Sequence, residues 1–390
     1  MDSSQPPAAP RSPTSLTLKV VENIASVGEA AWDSLWTPLD TPFLRYAWLE
    51  ALEFTRCVHP DVGWMANHFT LWDGDTLVGA APAYLKSSSE GEFVFDHGWA
   101  QAARQLNIRY YPKLIVAVPF TPATGSRLLI HPDYPRETIA DALAHGIRNA
   151  WQKLKISSAH ILFPRAQELP SFERNGYATR IGVQFHWTNR GYKTYDDFLA
   201  SFNSKRRHQL KRERREVEQS GIVTRTRRGA EITDGVLQAM FEFYLASVKK
   251  YYPWTQQYLN RPFFERVVER MPDAMEIVLA EDQGRPIAGA LNVASDRRLY
   301  GRYWGLTEQR PFLHFHVCYY HSIEQCIQQG LEVFEPGAGG GHKLPRGFEP
   351  TATWSSHLIA HQRLDAAVRD FLHRETAAIQ KVLSGEEEIE

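Results

Sequence analysis

The stretch FEPGAGGGHKLPRGFEP, residues 334–350, places an imidazole and an ammonium, His342 and Lys343, directly after a glycine run. Four of the five residues from Gly337 to Gly341 are glycine. Glycine loses more backbone freedom on folding than any other residue, so such a run is either a mobile connector or backbone that must lie against something. Gly339 and Gly340 would let N–H groups approach an anionic ligand such as a phosphate. Upstream, His314, His316 and His321 open an apolar-periodic segment. Helical residues two apart point about 200° from each other, so His314 and His316 make a poor metal pair and only one can face a cleft. We take His316 as the candidate general base, with His342 as the alternative. The plain alternative for each is a hydrogen-bonded or surface histidine. No metal site is expected.

Two other clusters suit ligand binding. In YYPKLIVAVPFTP (110–122), Pro112, Pro119 and Pro122 argue against a regular central strand. Tyr110, Tyr111 and Phe120, with Lys113 and Arg127, would form an aromatic and cationic wall for a nucleotide or a phosphorylated substrate. The competing reading is a packed sheet edge with two surface cations. In SKRRHQLKRERREV (204–217), seven Lys or Arg face one Glu between Lys205 and Arg215. Arg206 shares a stripe with Leu199, Phe202, Leu210 and Val217, so it should turn inward and pair with a carboxylate or a bound anion. Arg207, Lys211, Arg214 and Arg215 fall outside that stripe, either as a solvated face or as a contact for tRNA phosphates.

These residues need a scaffold, and the chain carries a duplicated one. FTLWDGDTLVGAAPAYLKS (69–87) and IVLAEDQGRPIAGALNVAS (277–295) each read as a β-hairpin around a Gly turn. A third strand is expected after each, at Glu92–Ala100 and Arg298–Leu306. A helix comes next in both halves, Arg136–Leu154 and His314–Gly330, with apolar residues at helical spacing, and then a strand, SAHILFP or LEVFEP. RNGYATRIGVQFHW (174–187) aligns without a gap on PRGFEPTATWSSHL (345–358), pairing Gly176 with Gly347, Tyr177 with Phe348 and His186 with His357. That last match suggests a structural role for both histidines. The unit is a mixed α/β layer, an antiparallel meander leading into a β-α-β crossover. The expected organisation is a disordered Pro/Ser-rich leader over 1–15, a first unit over 16–190 and a second over 191–390.

Composition sets limits. A chain of 390 residues with 43% apolar and 23% charged residues is ordinary globular protein, and a net charge of −1 gives no global pull toward nucleic acid or membrane. An odd set of three cysteines without a CxxC argues against a disulfide framework and suits a reducing cytoplasm. No run approaches 18 apolar residues, so no membrane span is expected. A monomer is expected.

The order meander, strand-helix-strand, Gly-aromatic turn and final strand resembles the GNAT acyltransferase fold, and two such units in tandem resemble the FemABX peptidyltransferases. The chain is most similar to bacterial FemAB-like predicted N-acyltransferases. The residues that carry the likeness are YYPKLIVAVPFTPATGSRLL (110–129), RYWG (302–305), HFHVCYYHSIE (314–324), GHKLPRGFEPTATWSSH (341–357) and the basic stretch. The resemblance implies a tandem GNAT-like fold of mixed sheets and a transferase moving an acyl or aminoacyl group to a small-molecule or peptide-like amine in a cleft between the units. It implies that Lys343 polarises the acyl carbonyl, that Arg346, Lys113 and Arg127 hold anionic groups, and that Trp99, Tyr303 and Trp304 line the donor site. The donor would be acyl-CoA or aminoacyl-tRNA as co-substrate, with no permanently bound cofactor. The link GLTEQRPFLH (305–314) lacks the Q/R-x-x-G-x-G/A loop that holds a CoA pyrophosphate in GNAT enzymes. The family pattern has acidic residues where this chain has His316 and Gly341. A non-catalytic ligand-binding or RNA-binding protein on the same scaffold is therefore the alternative.

Overall fold

Apolar runs broken by Asp-Gly and Gln-Gly turns become β-hairpins in the computed structural model, which describes residues 11–252 and 256–386. The chain divides into two units. The first comprises the described chain up to Phe120, Thr124–Ile181 and Trp354–Ala377; the second comprises Thr121–Ala123, Gly182–Thr353 and the described chain from Ala378 on. The segment from Trp354 returns to the first unit because its strand pairs there with Ser158–Leu162. Of the expected leader, residues 1–10 lie outside the described residues. Residues 14 and 15 are tied down, since Thr14 and Ser15 donate to the Asp73 carboxylate.

In the first unit, β1 (Leu16–Val21), β2 (Trp64–Ala66), β3 (His68–Asp73), β4 (Thr76–Ala81), β5 (Ala83–Lys86), β6 (Lys113–Val116), β7 (Leu129–Ile130) and β8 (Ser158–Leu162) succeed one another in chain order, with β9 (Ala178–Thr188) beginning there. A small sheet has the order β1-β3-β4-β7, and β2, β5, β6 and β8 are successive neighbours in a second sheet. β6 runs antiparallel to β5 and parallel to β8. The helix Arg136–Leu154 spans the segment expected and buries Ile139, Leu143, Ile147 and Trp151 against the core that includes Phe69, Val78 and Ile161.

Two expectations change here. Glu92–Ala100 is not the third strand: it is a loop running into the helix His97–Gln105. The third strand is β6, an interior strand whose residues are all buried. Pro112 and Pro119 lie outside its four residues, so neither removes a ladder hydrogen bond.

In the second unit, β10 (Ile222–Arg228), β11 (Met275–Asp282), β12 (Arg285–Ala294), β13 (Arg298–Leu306) and β14 (Val333–Glu335) are successive neighbours, and β14 pairs with the end of β9. β13 and β14 are parallel over three residue pairs, the crossover running through the helical segment Leu313–Gln329. β15 (Glu349–Ile359) closes the repeat. β9 starts two residues after Gly176 and β15 two residues after Gly347, and each runs 11 residues. The two glycines share a left-handed φ, 83° and 86°. Duplicated sequence has become duplicated structure. The helices Ser204–Gln219 and Asp234–Tyr251 belong to the second unit as well. No described helix is long and apolar enough to cross a membrane.

Candidate active site

The second unit has the chemistry on one side of β13. A register shift between β12 and β13 leaves Arg302 as an extra residue between Gly301, opposite Asn292, and Tyr303, opposite Leu291. Such a bulge re-aims side chains and locally bends the strand. Beside it lies a small cavity of about 70 Å³ lined by Asn292, Arg302, Trp304, His314, Cys318 and Tyr319, among others. Trp304 and His314 also line a larger cavity of about 380 Å³, with Lys250, Tyr251, Phe312 and Phe315. The His314 ring tilts over Trp304 at 4.2 Å between centroids, and Tyr303 packs edge-on against Tyr244 at 5.1 Å.

Of the helical histidines, His314 faces the cavities and His316 does not. His316–Tyr320 form a π-helical turn, which inserts an extra residue and rotates the helix beyond it. His316 is buried at 5% exposure with Nδ1 unpartnered. Its imidazole is held at about 4 by burial, with Arg214 adding to the effect. His321 sits at about 4 for the same main reason and hydrogen-bonds the Thr226 hydroxyl at 2.8 Å. His314 is also lowered to about 4, by burial and by the neighbouring His342. A neutral imidazole buried away from both cavities is a poor base for an external amine.

His342 is exposed, and its Nε2 lies 2.9 Å from the hydroxyl of Tyr319, a residue that lines the small cavity. Burial lowers the His342 pKa, and the Lys343 and Arg346 charges lower it further, so the ring is biased toward its neutral form, with a nitrogen free to accept a proton. Burial pushes the Tyr319 hydroxyl far above its ordinary value, so it stays protonated. Tyr319 sits at an apolar-periodic position of the segment His314–Gly330, where helical spacing gives no sign of this pairing.

The glycine run is a tight turn. Gly337, Gly339 and Gly340 have φ of 91°, 76° and 91°. A Cβ on Gly340 would overlap the His342 ring as well as strain the backbone, so glycine is required there. Lys343 is 2% exposed and lines neither cavity: its Nζ donates to the Gly337 carbonyl at 2.6 Å and more weakly to Ala338 at 3.4 Å. Burial brings its pKa down to about 8. The ammonium thus ties the glycine turn to itself. Arg346 is not open to an anionic ligand either. Its Nη2 donates to Glu213 at 3.0 Å, Nε to the Tyr320 hydroxyl at 3.0 Å and Nη1 to the His342 carbonyl at 2.8 Å, with the guanidinium 3.3 Å over the Phe315 ring.

Glu213 is the one acid between Lys205 and Arg215. It is 1% exposed and accepts from Arg346, the Tyr320 hydroxyl and the Gln209 amide. Arg206 is half-buried and donates to Gln209 at 2.9 Å rather than to a carboxylate. Arg214 is not outward: it pairs with Glu218 and Glu324, while Lys211 pairs with Asp196.

The wall expected in the first unit is interior. Lys113 Nζ is fully buried, bonded to Glu92 at 2.8 Å and to Asp96. Burial alone would lower its pKa, and the two carboxylates outweigh that and raise it. Tyr110 donates to Asp96, Tyr111 meets the Ser89 hydroxyl at 2.7 Å, and Phe120 packs edge-on against Trp64. Arg127 is 1% exposed and donates to the Leu162 and Ser126 carbonyls. Trp99 lies on the helix His97–Gln105, not at a strand end, and packs edge-on to His357. His357 and His160 are buried with Nδ1 atoms 2.7 Å apart, and burial holds both well below the ordinary histidine value.

The model of a family described as FemAB-like, peptidoglycan biosynthesis/recognition, matches residues 23–388. The chain belongs to the FemAB-like family. It is accordingly an acyl or aminoacyl transferase in peptidoglycan-related processes. Its tandem GNAT-like fold is shared with a crystal structure of FemX, at a TM-score of 0.53 and 12% identity over 87% of this chain and 98% of that one. L-PGS from Bacillus licheniformis is similar at a TM-score of 0.50 and 10% identity, over 93% and 98%. A tandem GNAT protein from the clavulanic acid biosynthesis pathway aligns at 0.44 and 12%, over 89% and 99%. No curated protein sequence matches the chain.

Proposed function

We propose that the second unit transfers an acyl or aminoacyl group from an activated ester or thioester, either aminoacyl-tRNA or acyl-CoA, to a peptide-like amine at the cavities beside β13. The amine attacks the carbonyl carbon, the new C–N bond forms, and the C–O or C–S bond to the carrier breaks. The amine proton passes to the Tyr319 oxygen as the Tyr319 proton passes to His342 Nε2, and the leaving oxygen or sulfur takes a proton back. Aminolysis of such a donor is downhill, so holding donor and amine together supplies much of the rate. The aromatic floor of Trp304, Phe312 and Phe315 suits that holding task. Lys343 sets the glycine turn that carries His342, and Arg346 clamps the His342 backbone through its carbonyl. His342 replaces His316 as the base in this reading.

The observation that carries the proposal is the 2.9 Å contact between Tyr319, on the cavity wall, and an exposed His342 biased toward its neutral form. The test is single-turnover transfer to a peptide amine, with aminoacyl-tRNA and acyl-CoA donors, in Tyr319→Phe and His342→Gln proteins. Loss of the relay should slow the chemical step by about 10²–10⁴-fold. Transfer at the wild-type rate in both variants would remove the pair from the mechanism.

A further inference from the structure

We propose that the small cavity against Asn292 is a carboxylate pocket, in which the Asn292 side-chain amide and the Arg302 guanidinium receive an anionic group carried by one of the substrates. This rests on the transferase reading and deepens it by naming what one substrate must present.

The pocket shows what it is built for through a group it leaves open. Asn292 is 2% exposed, lines the cavity, and its Nδ2 has no hydrogen-bond partner. A buried amide donor without a partner is costly, so natural cores seldom keep one unless a ligand or water supplies the acceptor. The β12–β13 bulge places Arg302 beside it, since Gly301 opposes Asn292 and Arg302 is the extra residue. Burial lowers the Arg302 pKa, and nearby Tyr303 and Glu335 oppose that only in part; a guanidinium nonetheless keeps its charge in proteins. The other polar linings, Tyr303, Trp304, His314, Cys318 and Tyr319, bring no carboxylate; the nearby buried Glu335, between the lining residues Phe334 and Pro336, is paired with Arg298 at 2.6 Å. A volume of about 70 Å³ takes a group the size of acetate and little more. An ammonium in the same place would face a guanidinium at close range in a low dielectric.

The pocket can be probed without any transfer assay. Acetate, acetamide and methylammonium are titrated against the full-length protein by ligand-observed NMR. Acetate should bind saturably, with a Kd on the order of 1 mM, which so small a ligand can supply. Acetamide should bind more weakly, and methylammonium should not bind. Asn292→Leu, which replaces an unpaired amide with a hydrocarbon of similar size, should fold and lose acetate about tenfold or more. Should that variant fail to fold, wild-type crystals grown without carboxylates and soaked in acetate locate the anion directly, between Asn292 Nδ2 and Arg302. Methylammonium binding as tightly as acetate, unsaturable acetate signals, unchanged affinity in Asn292→Leu, or a soaked acetate elsewhere would each overturn the proposal. Because acetate can bind whether or not the protein transfers acyl groups, failure here and failure of the Tyr319–His342 relay are separate results.

Discussion

Replacing Glu213 by Gln should unfold the second unit far more readily than its conservative size suggests. The carboxylate is 1% exposed, and Arg346, which it pairs with at 3.0 Å, is 7% exposed. One oxygen takes Arg346 and the Tyr320 hydroxyl, and the other takes the Gln209 amide. Glutamine keeps the volume but removes the charge and turns one acceptor into a donor. That donor then faces either Arg346 with Tyr320 or Gln209, and the guanidinium is left buried without an anion. Breaking a buried pair from one side costs about 3–5 kcal/mol. For a unit of this size each kcal/mol moves Tm by roughly 2–4 °C, so the shift should lie between about 6 and 20 °C. Differential scanning calorimetry reads it, with Glu213→Leu/Arg346→Met as the second corner. Removing both charges should recover most of the loss, since a buried pair gains little over well-packed apolar side chains. A Glu213→Gln protein melting alongside the wild type would show that Arg346 finds its counter-charge elsewhere, and the positioning of His342 through Arg346 would fall with it.

Other consequences can be measured directly. His314, His316 and His321 each have folded pKa values of about 4, below the ordinary 6.5, so their stabilising effect is complete above pH 6.5 and lost as pH falls toward 4. Urea unfolding across that window should show up to about 3 kcal/mol lost per histidine, and His316→Gln should flatten the slope; an unchanged slope would refute the burial argument. Gly305→Ala should cost about 3 kcal/mol or more, because its Cβ would overlap the Phe243 carbonyl oxygen and push the helix Asp234–Tyr251 off β13; a variant as stable as wild type would contradict that packing. Lys343→Met should cost about 1–3 kcal/mol and speed proteolytic cutting within 337–341, since the Gly337 carbonyl loses its donor. Wild-type cutting rates would return the lysine to a purely chemical role.

The parts of this fold that announce themselves in the sequence are those fixed by local rules. Hairpin turns, the apolar phase of Arg136–Leu154 and the Gly-aromatic entry to β9 and β15 all act within a few residues. What stayed hidden is non-local or off-period. Glu213 and Arg346 are 133 residues apart, and nothing near either one signals the other. That His314 rather than His316 faces the cavities is also off-period, since the π turn at His316–Tyr320 breaks the 3.6-residue repeat of the helix. Glu92–Ala100 reads as a strand from its place after the first hairpin, matching Arg298–Leu306 in the repeat. Its acids decided otherwise, for Glu92 and Asp96 are needed as partners of Lys113 and sit on a loop free to reach it.

That last point explains a difference between the two copies of the repeat. On their parallel ladders Leu114 pairs with Ala159 as Leu299 pairs with Phe334, and those residues pair in turn with Leu358 and Trp187, which the repeat makes equivalent. The register then equates Lys113 with Arg298, His160 with Glu335 and His357 with His186. In the second unit the cation finds its anion within the sheet, Arg298 to Glu335 at 2.6 Å, with His186 at 3.9 Å from the same carboxylate. In the first unit a histidine holds the acidic position, so the sheet offers Lys113 nothing to neutralise it. A buried ammonium cannot stay unpaired at tolerable cost. The segment between β5 and β6 supplies the missing charge as Glu92 and Asp96, and those residues close over the layer from outside the ladder. Glu92 shows how buried that substitute is, since burial lifts its carboxyl to about 7 against the pull of Lys113. The long link between the hairpin and the third strand of the first unit is therefore explained by charge balance within its own core, and the chemistry beside β13 belongs to the copy whose sheet neutralises itself.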